Sequence, residues 1–503
     1  MEILVLIIYI AALTVLFVYG LQSFSMVYHY SKLKPRDPVV AGIELNNDCP
    51  RVTVQLPLYN EVYVVERLVD AVCALEYPRE KLEIQLLDDS TDETTVLLAR
   101  LAERRRAEGI NIHHIRRADR TGFKAGALRN GLAQASGEYI AIFDADFLPP
   151  SDFLLKVIPH LAADPGLGMV QTRWEHINHD YSLLTRMQAL ALDAHFAMEQ
   201  QVRNRAGLFM NFNGTAGIWR RRCIEDAGNW HADTLTEDLD LSYRAQLRGW
   251  RFLYLNDLVV PAELPSEING LKSQQFRWTK GAIETARKHL PEVWRAPLPL
   301  RVKLHATAHL TSNLVFPFIL IIALLNLPVL YLKELHPEWR PWFHVMGIFF
   351  FTSISTFLFY LLAQKNIRAD WRSRMLLFPV FMAGTMGLAV SNSKAVLEAL
   401  FNRRTSFERT PKYNIVTSAD NWAASAYRQV NIRTEVMVEL LMALYFLVAI
   451  GISIAYMELS LIPFQLMFLF GFGMAGGLSL RQALWRKERQ RNVATTEIPL
   501  TES

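Results

Sequence analysis

Cysteine is scarce in this 503-residue chain: Cys49, Cys73 and Cys223 are the only three, and none makes a CxxC spacing. That excludes a disulfide frame and a zinc-thiolate site, leaving reduced, buried or incidental thiols of a cytosolic compartment. An excess of one charge is missing too. Lys and Arg number 53 against 49 Asp and Glu, for a formal net charge of +4. A chain built to grip nucleic acid carries a basic surplus, so nucleic acid is not an expected partner. There is no GxxxxGK[ST] and no GxGxxG, so neither a P-loop nor a dinucleotide fold is supported. The first apolar segment has no basic stretch before it and no AxA-like cleavage site, which argues against a cleaved signal peptide.

Long apolar runs, by contrast, are plentiful. Residues 3–21, ILVLIIYIAALTVLFVYGL, are uncharged over a length that crosses a bilayer core. Lys32, Lys34 and Arg36 follow, which puts the next segment on the cytoplasmic side. A long stretch of mixed charge and globular periodicity comes next, and then 310–332, 343–363, 375–391, 436–457 and 461–480 turn apolar. If every run spanned, the Arg-rich stretch 402–433 and the tail 481–492, RQALWRKERQRN, would both lie outside, against the positive-inside tendency. Laying the Gly-containing 375–398 along the cytoplasmic interface repairs both, so five spans are expected. The expected division is a span in 1–30, a cytoplasmic domain over 45–300, and two spans in 301–365. An interfacial helix and loop in 366–434, two spans in 435–482 and a cytoplasmic tail over 483–503 complete it.

Within the cytoplasmic domain, short apolar runs alternate with helical patterns. Strands are expected at 52–60, 83–89, 110–115, 139–146 and 168–174. Alternation at this spacing predicts βαβ units and a mostly parallel, doubly wound α/β sheet, with ligands bound beyond the carboxyl ends of the strands. Acids stand at those ends. One strand closes in Asp88-Asp89-Ser90, and Ser90-Thr91-Asp92-Glu93 reads as a capping box opening a helix. Another closes in Asp144-Ala145-Asp146, where strand geometry would aim both carboxylates one way. Such a pair suits a hard divalent cation, Mg²⁺ or Mn²⁺, bridging to substrate phosphates. Alone, a DxD reads more readily as a turn. Thr121-Gly122-Phe123-Lys124-Ala125-Gly126 offers a phosphate Lys124 and free backbone N–H groups.

Downstream stand Asn211-Phe212-Asn213-Gly214-Thr215, Thr236-Glu237-Asp238 and Gln274-Gln275-Phe276-Arg277-Trp278. In order after DDS and DAD, these motifs resemble the D, D, D, QxxRW series of processive family 2 glycosyltransferases. Cellulose synthase, hyaluronan synthase and the plant cellulose-synthase-like mannan and glucan synthases share that series. The resemblance runs from about Pro57 to Lys412. It implies a GT-A glycosyltransferase domain inserted between transmembrane helices. Residue by residue, it implies that Glu61 lines the nucleotide, Asp88 and Asp89 meet the base, and Lys124 meets the diphosphate. Asp144 and Asp146 would hold the metal, and Asp238 would be the base that deprotonates the acceptor hydroxyl. Gln274 and Arg277 would reach the diphosphate. Trp278 would stack under the acceptor sugar, near Asn213, Gly214, Thr215 and Glu237. Phe407-Glu408-Arg409-Thr410-Pro411-Lys412 resembles the FxVTxK gating loop, in which Phe407, Thr410 and Lys412 match and Arg409 replaces Val.

The residue types fit the chemistry independently. Sugar transfer from a nucleotide diphosphate needs the leaving charge neutralised and one base near the incoming hydroxyl. Asp240 is the rival base, pointing elsewhere if Asp238 opens a helix. Gln274, Arg277 and Trp278 share one helical face, although a lone Trp near a bilayer is also an ordinary interface anchor. His113 and His114 in a strand and His176 and His179 in a loop have no metal-ligand company and read as structural. Arg104-Arg105-Arg106 reads as a solvated helix face.

The leading expectation is therefore a multi-pass enzyme of the inner or plasma membrane, or of the Golgi if eukaryotic. It would polymerise a β-linked glucan or mannan from UDP-glucose, with GDP-mannose second, and pass the chain through its spans. The other readings are a glycolipid synthase and, from another class, a non-catalytic transport or scaffold protein. Expected partners are the nucleotide sugar, the growing polysaccharide or a lipid acceptor, and membrane lipids; accessory secretion subunits and a homo-oligomer stay open. No basic RxxxR precedes a β-barrel pattern, so cyclic-dinucleotide control within the chain is not expected.

Overall fold

A computed structural model describes residues 1–33, 37–38, 40, 49–403, 405, 408–417, 420 and 434–496. Seven described strands form one sheet: β1 (Val52–Leu58), β2 (Leu82–Asp88), β3 (Ile112–Arg116), β4 (Tyr139–Ile142), β5 (Leu167–His176), β6 (Gly217–Arg220) and β7 (Arg251–Ala262). Their order is β3-β2-β1-β4-β6-β5-β7. Pairs β1–β2, β1–β4, β2–β3 and β5–β7 are parallel, whereas β6 runs antiparallel to both neighbours. The alternation of β4 shows why the sheet needs cover on two faces. Tyr139 and Ala141 join one core with Val54, Leu56 and the helix Phe153–Ala163. Ile140 and Ile142 join the other core with Leu128, Phe212 and Trp219. Each fully buried Ile is worth ~1.5–3 kcal/mol relative to exposure, so the register of β4 is strongly specified.

Two local expectations change. The strand expected over 139–146 ends at Ile142. Asp144 and Asp146 lie in the turn that follows, closed by the Phe147 N–H donating to Asp144 O at 3.1 Å. The ladder breaks there because the Asp144 N–H turns to the Thr215 hydroxyl, 2.9 Å away. The capping box also fails: the helix begins at Thr94, one residue after Glu93. The Ser90 hydroxyl instead accepts from the Asn60 backbone N–H at 2.9 Å, tying the ends of β1 and β2 together. Asp92 serves the helix start, accepting from the Thr94 N–H at 3.0 Å.

Among the described residues, five helices are long and apolar enough to cross a membrane: Glu2–Lys32, Leu300–Leu324, Pro337–Ile367, Thr434–Ala455 and Leu459–Leu484. Phe378–Gly387 and Ala389–Leu400 form a pair bent by 48°, at the segment expected to leave the spanning direction. Phe378–Gly387 crosses the last span at very close range. A Cβ on Gly387 would stand 2.2 Å from the Gly471 carbonyl oxygen, so only a residue without one fits.

Candidate active site

The carboxyl ends of β1, β2 and β7 and the turn after β4 open into one cavity. The helix Ile268–Arg295 closes it from one side, and the segment around Arg409, Thr410 and Lys412 from another. Glu61, Asp89, Lys124, Asp144 and Asp146 line its floor. Asn213, Gly214, Glu237 and Asp238 form one wall, and Gln274, Arg277 and Trp278 face them from the long helix. Two of the residues singled out in the sequence stand behind the wall. Asp88 is spent on the Ser90 N–H at 2.8 Å and on His114 Nε2 at 2.9 Å. Thr215 is buried and holds the Asp144 backbone. Phe407 lies outside the described residues.

Lys124 sits at the centre. Its Nζ donates to Asp144 Oδ1 at 2.6 Å and to the Gly214 carbonyl at 2.9 Å, with Glu237 Oε1 at 3.8 Å. Burial disfavours its charge, but Asp144 and Glu237 outweigh that and raise its pKa. Asp146 is 1% exposed. Lys412 Nζ meets its Oδ2 at 2.7 Å, while its Oδ1 has no hydrogen-bond partner. Arg409, at the position where the resembled loop has Val, pairs with Glu61 Oε2 at 2.7 Å. Burial pushes the Glu61 carboxyl up to about 7; Arg409 and Lys412 oppose the rise, and Asp146 adds to it. Arg117 clasps both oxygens of Asp89. The Arg120 guanidinium lies 3.3 Å from the centroid of the Tyr59 ring, a cation–π lid at the cavity edge.

Asp238 and Asp240 have opposite surroundings. The helix Glu237–Leu247 starts on Thr236, so Asp238 occupies its first turn and accepts from the Leu239 N–H at 2.8 Å. Burial pushes the Asp238 carboxyl up to about 7, Glu237 adds to the rise, and Lys124 and Arg277 oppose it. Asp240 points away from the cavity into a cationic nest. His289 Nε2 and Lys288 Nζ reach its Oδ1 at 2.7 Å, and Arg244 grips its Oδ2 at 2.7 Å. Burial raises its pKa, but those partners outweigh it and hold the carboxyl well below the usual range.

Other groups around the cavity stand outside the spaced motifs. Glu263 follows β7 and accepts from the backbone N–H groups of Tyr413 and Asn414, both at 2.9 Å, and from Arg67 at 3.1 Å. It pins the downstream end of the loop that carries Arg409 and Lys412. An apolar strand ending in a carboxylate was its available signature, the same one that DAD displays. His176 ends β5 instead of lying in a loop, is 3% exposed, and has Asp193 Oδ1 at 3.4 Å. Among the described residues, His231, Asp233 and Asp240 could also approach one ion. Arg244 and Lys288 already neutralise that group, so its geometry is that of an ion-pair cluster.

Comparison with known proteins bears on the family and the fold. Residues 50–281 match the family described as Glycosyltransferase like family 2. The chain is 38% identical over 367 residues to glucomannan 4-beta-mannosyltransferase 2 of Arabidopsis thaliana, an alignment covering 69% of this chain and 68% of that one. It is 47% identical over 248 residues to probable glucomannan 4-beta-mannosyltransferase 4 of Oryza sativa subsp. japonica, covering 48% of this chain and 45% of that one. The chain thus spans less than half the length of the second relative. Among solved structures, the mannosyltransferase PcManGT from Pyrobaculum calidifontis has the same GT-A fold, with a TM-score of 0.53 at 22% identity over 80% of this chain and 100% of that one. With its strand-end acids, its QxxRW helix and these relatives, the chain belongs to the family 2 glycosyltransferases, in their cellulose-synthase-like group.

Proposed function

We propose that the protein is a membrane-embedded inverting mannosyltransferase that extends a β-linked mannan or glucomannan from a nucleotide sugar on the cytoplasmic side. The observation that carries this reading is the placing of Asp238. It is a half-buried carboxyl, pushed up to about 7 by desolvation, across one cavity from Lys124, Arg277 and Trp278. GDP-mannose becomes the first donor and UDP-glucose the second, reversing the order suggested by the sequence. The mannosyltransferase names of relatives 38–47% identical support that exchange, as does the GDP-Man bound by PcManGT.

In this mechanism Trp278 gives the acceptor sugar a flat apolar face, and Asp238 takes the proton from its attacking hydroxyl. Attack on the anomeric carbon breaks its bond to the donor phosphate on the opposite face, which inverts the configuration without a covalent intermediate. Lys124, Arg277 and Gln274 meet the diphosphate leaving group and stabilise its growing charge. Arg120, stacked on Tyr59, and Asp89, held by Arg117, form the edge where a base enters. Asp144 and Asp146 would hold Mg²⁺ or Mn²⁺. Their oxygen donors and the unpartnered, buried Asp146 Oδ1 suit a hard cation. Such an ion supplies Lewis-acid neutralisation of the diphosphate.

A second, largely apolar cleft opens beside the active-site cavity. Leu184, Met187, Phe316, Phe381 and Met474 line it between the helices, and it shares Leu192, Gln274 and Trp278 with the active-site cavity. In the polymer reading a chain extended at Trp278 would pass along that cleft toward the spans; in the glycolipid reading the acyl part of the acceptor would lie in it.

The test is transfer by the purified protein in lipid with Mn²⁺ or Mg²⁺, with labelled GDP-mannose and UDP-glucose supplied separately. Ethanol-insoluble label released by a β-mannanase is expected from GDP-mannose. Label confined to the organic phase would replace the polymer reading with glycolipid synthesis, and no transfer at all would leave a transport or scaffold protein.

A further inference from the structure

Behind Asn213 the backbone leaves α-helical geometry. Residues His195–Gln200 form a π turn between the helices Leu183–Ala194 and Gln201–Arg205. In an α-helix, residues five apart point roughly 140° away from each other. The i→i+5 closure of a π turn brings them back nearly above one another, and such turns are frequent at functional sites. Here the pair brought together is His195 and Gln200, and both reach the side chain of Asn213. Gln200 Nε2 donates to Asn213 Oδ1 at 2.5 Å and to the Asn211 carbonyl at 2.7 Å. Asn213 Nδ2 stands 3.0 Å from His195 Nε2.

The donors and acceptors allow one consistent assignment. An amide N–H can only donate, so His195 Nε2 accepts and its proton is on Nδ1. Nδ1 then donates to Glu199 Oε2, 2.9 Å away. Arg203, fully buried, fixes Glu199 Oε1 from the next turn at 2.8 Å. The chain Arg203–Glu199–His195–Asn213 therefore sets which edge of the Asn213 amide is oxygen and which is nitrogen, and Gln200 enforces the same choice. One N–H and one lone pair of that amide remain for a ligand. Its position decides which ligand: the next residue, Gly214, faces Asp238, so Asn213 lies on the side where the attacking hydroxyl must enter.

We infer that His195 and Gln200, brought together by the π turn, are positioning residues that orient the Asn213 amide to hold a hydroxyl of the acceptor sugar beside Asp238. The inference rests on the sugar-transfer reading above. It concerns the acceptor alone, so the donor should not feel these residues.

The experiment is a double-mutant cycle on the full chain in lipid, with a β-1,4-linked manno-oligosaccharide as acceptor and whichever donor the unmodified protein uses. His195→Ala and Gln200→Ala are each expected to raise the acceptor KM about tenfold and to leave the donor KM within about twofold. His195→Gln, which keeps an acceptor atom for Asn213, should restore most of the loss. In an Asn213→Ala background, neither substitution should cost more than about a further twofold, because there is nothing left to orient. Losses that multiply with Asn213→Ala, or a donor KM that rises in parallel, would overturn the inference while leaving the transferase reading intact. If the unmodified protein transfers no sugar from either donor, the reading falls and this inference falls with it.

Discussion

Gly214 is packed against Asp238: a Cβ on Gly214 would come within 3.0 Å of Asp238 Oδ2 and 3.3 Å of Lys124 Nζ. Its φ of +81° is also one that residues with a side chain rarely adopt. The same backbone offers its carbonyl to Lys124. One residue thus sets the distance between the candidate base and the central cation. Gly214→Ala is expected to cost ~1–2 kcal/mol of stability from the strained φ. It should lower kcat about a hundredfold, since small misplacements at a reacting centre are expensive. Thermal melts beside single-turnover rates separate the two effects.

Asp238 and Asp240 are two positions apart and should fail in different ways. With its carboxyl pushed up to about 7, Asp238 is a free base only above that pH. The kcat/KM profile should therefore climb about tenfold per pH unit below 7 and flatten above it. Asp238→Asn should remove about 10³-fold or more of the rate with little change in melting temperature.

Asp240→Asn should do the reverse. It strands Lys288, Arg244 and His289 around a buried site without its anion, at a cost of ~3 kcal/mol. Because the folded state holds the Asp240 carboxyl below its ordinary value, its contribution is present above pH about 4 and is lost as the pH falls further. Melting temperatures of the unmodified protein should drop more steeply than those of Asp240→Asn between pH 5 and pH 3. Parallel curves would mean the nest stores no such energy.

The legible parts of the molecule were those written in period and order. Strands β1, β2 and β5 followed from short apolar runs, and the apolar helices from uncharged length. Most of the candidate site residues that line the cavity stand in short motifs spaced along the chain. What escaped depends on contacts between distant segments. β4 stops at Ile142 because Thr215, far along the chain, takes the Asp144 N–H. Ser90 leaves its expected cap because Asn60 is nearby only after β1 and β2 pair. The antiparallel β6 is four residues long, too short to show a period. The π turn at His195–Gln200 departs from the 3.6-residue repeat on which every helix expectation rests.

Lys412 Nζ rests on Asp146 Oδ2, where a divalent cation would need its second carboxylate. Loop and metal should therefore compete for that acid. Lys412→Gln is expected to lower the Mn²⁺ concentration that half-saturates the protein by about tenfold, the scale of one charge-assisted hydrogen bond. Calorimetric titration of Mn²⁺ without donor reads this apart from turnover. An unchanged midpoint would mean that Lys412 and the metal use Asp146 without interfering.

The helix that carries Gln274, Arg277 and Trp278 is also tied to the spans by charge. Lys272, two residues before Gln274, donates to Glu439 Oε2 at 2.6 Å, to Ser479 Oγ at 2.9 Å and to the Ala475 carbonyl at 3.1 Å. Both charges are buried, Glu439 completely. Removing one partner leaves the other uncompensated at ~3–5 kcal/mol, whereas replacing both with apolar groups of similar size can be nearly neutral. Lys272→Met is therefore expected to lower the melting temperature in lipid nanodiscs by several degrees, and Lys272→Met with Glu439→Leu to recover most of it. Activity should not follow stability. The double variant keeps the packing but loses the charged link that fixes Gln274 and Arg277 over the cavity, so kcat should stay depressed after the melt is restored. A double variant that regains both would reduce the pair to a stabilising contact, with no part in aligning the helix.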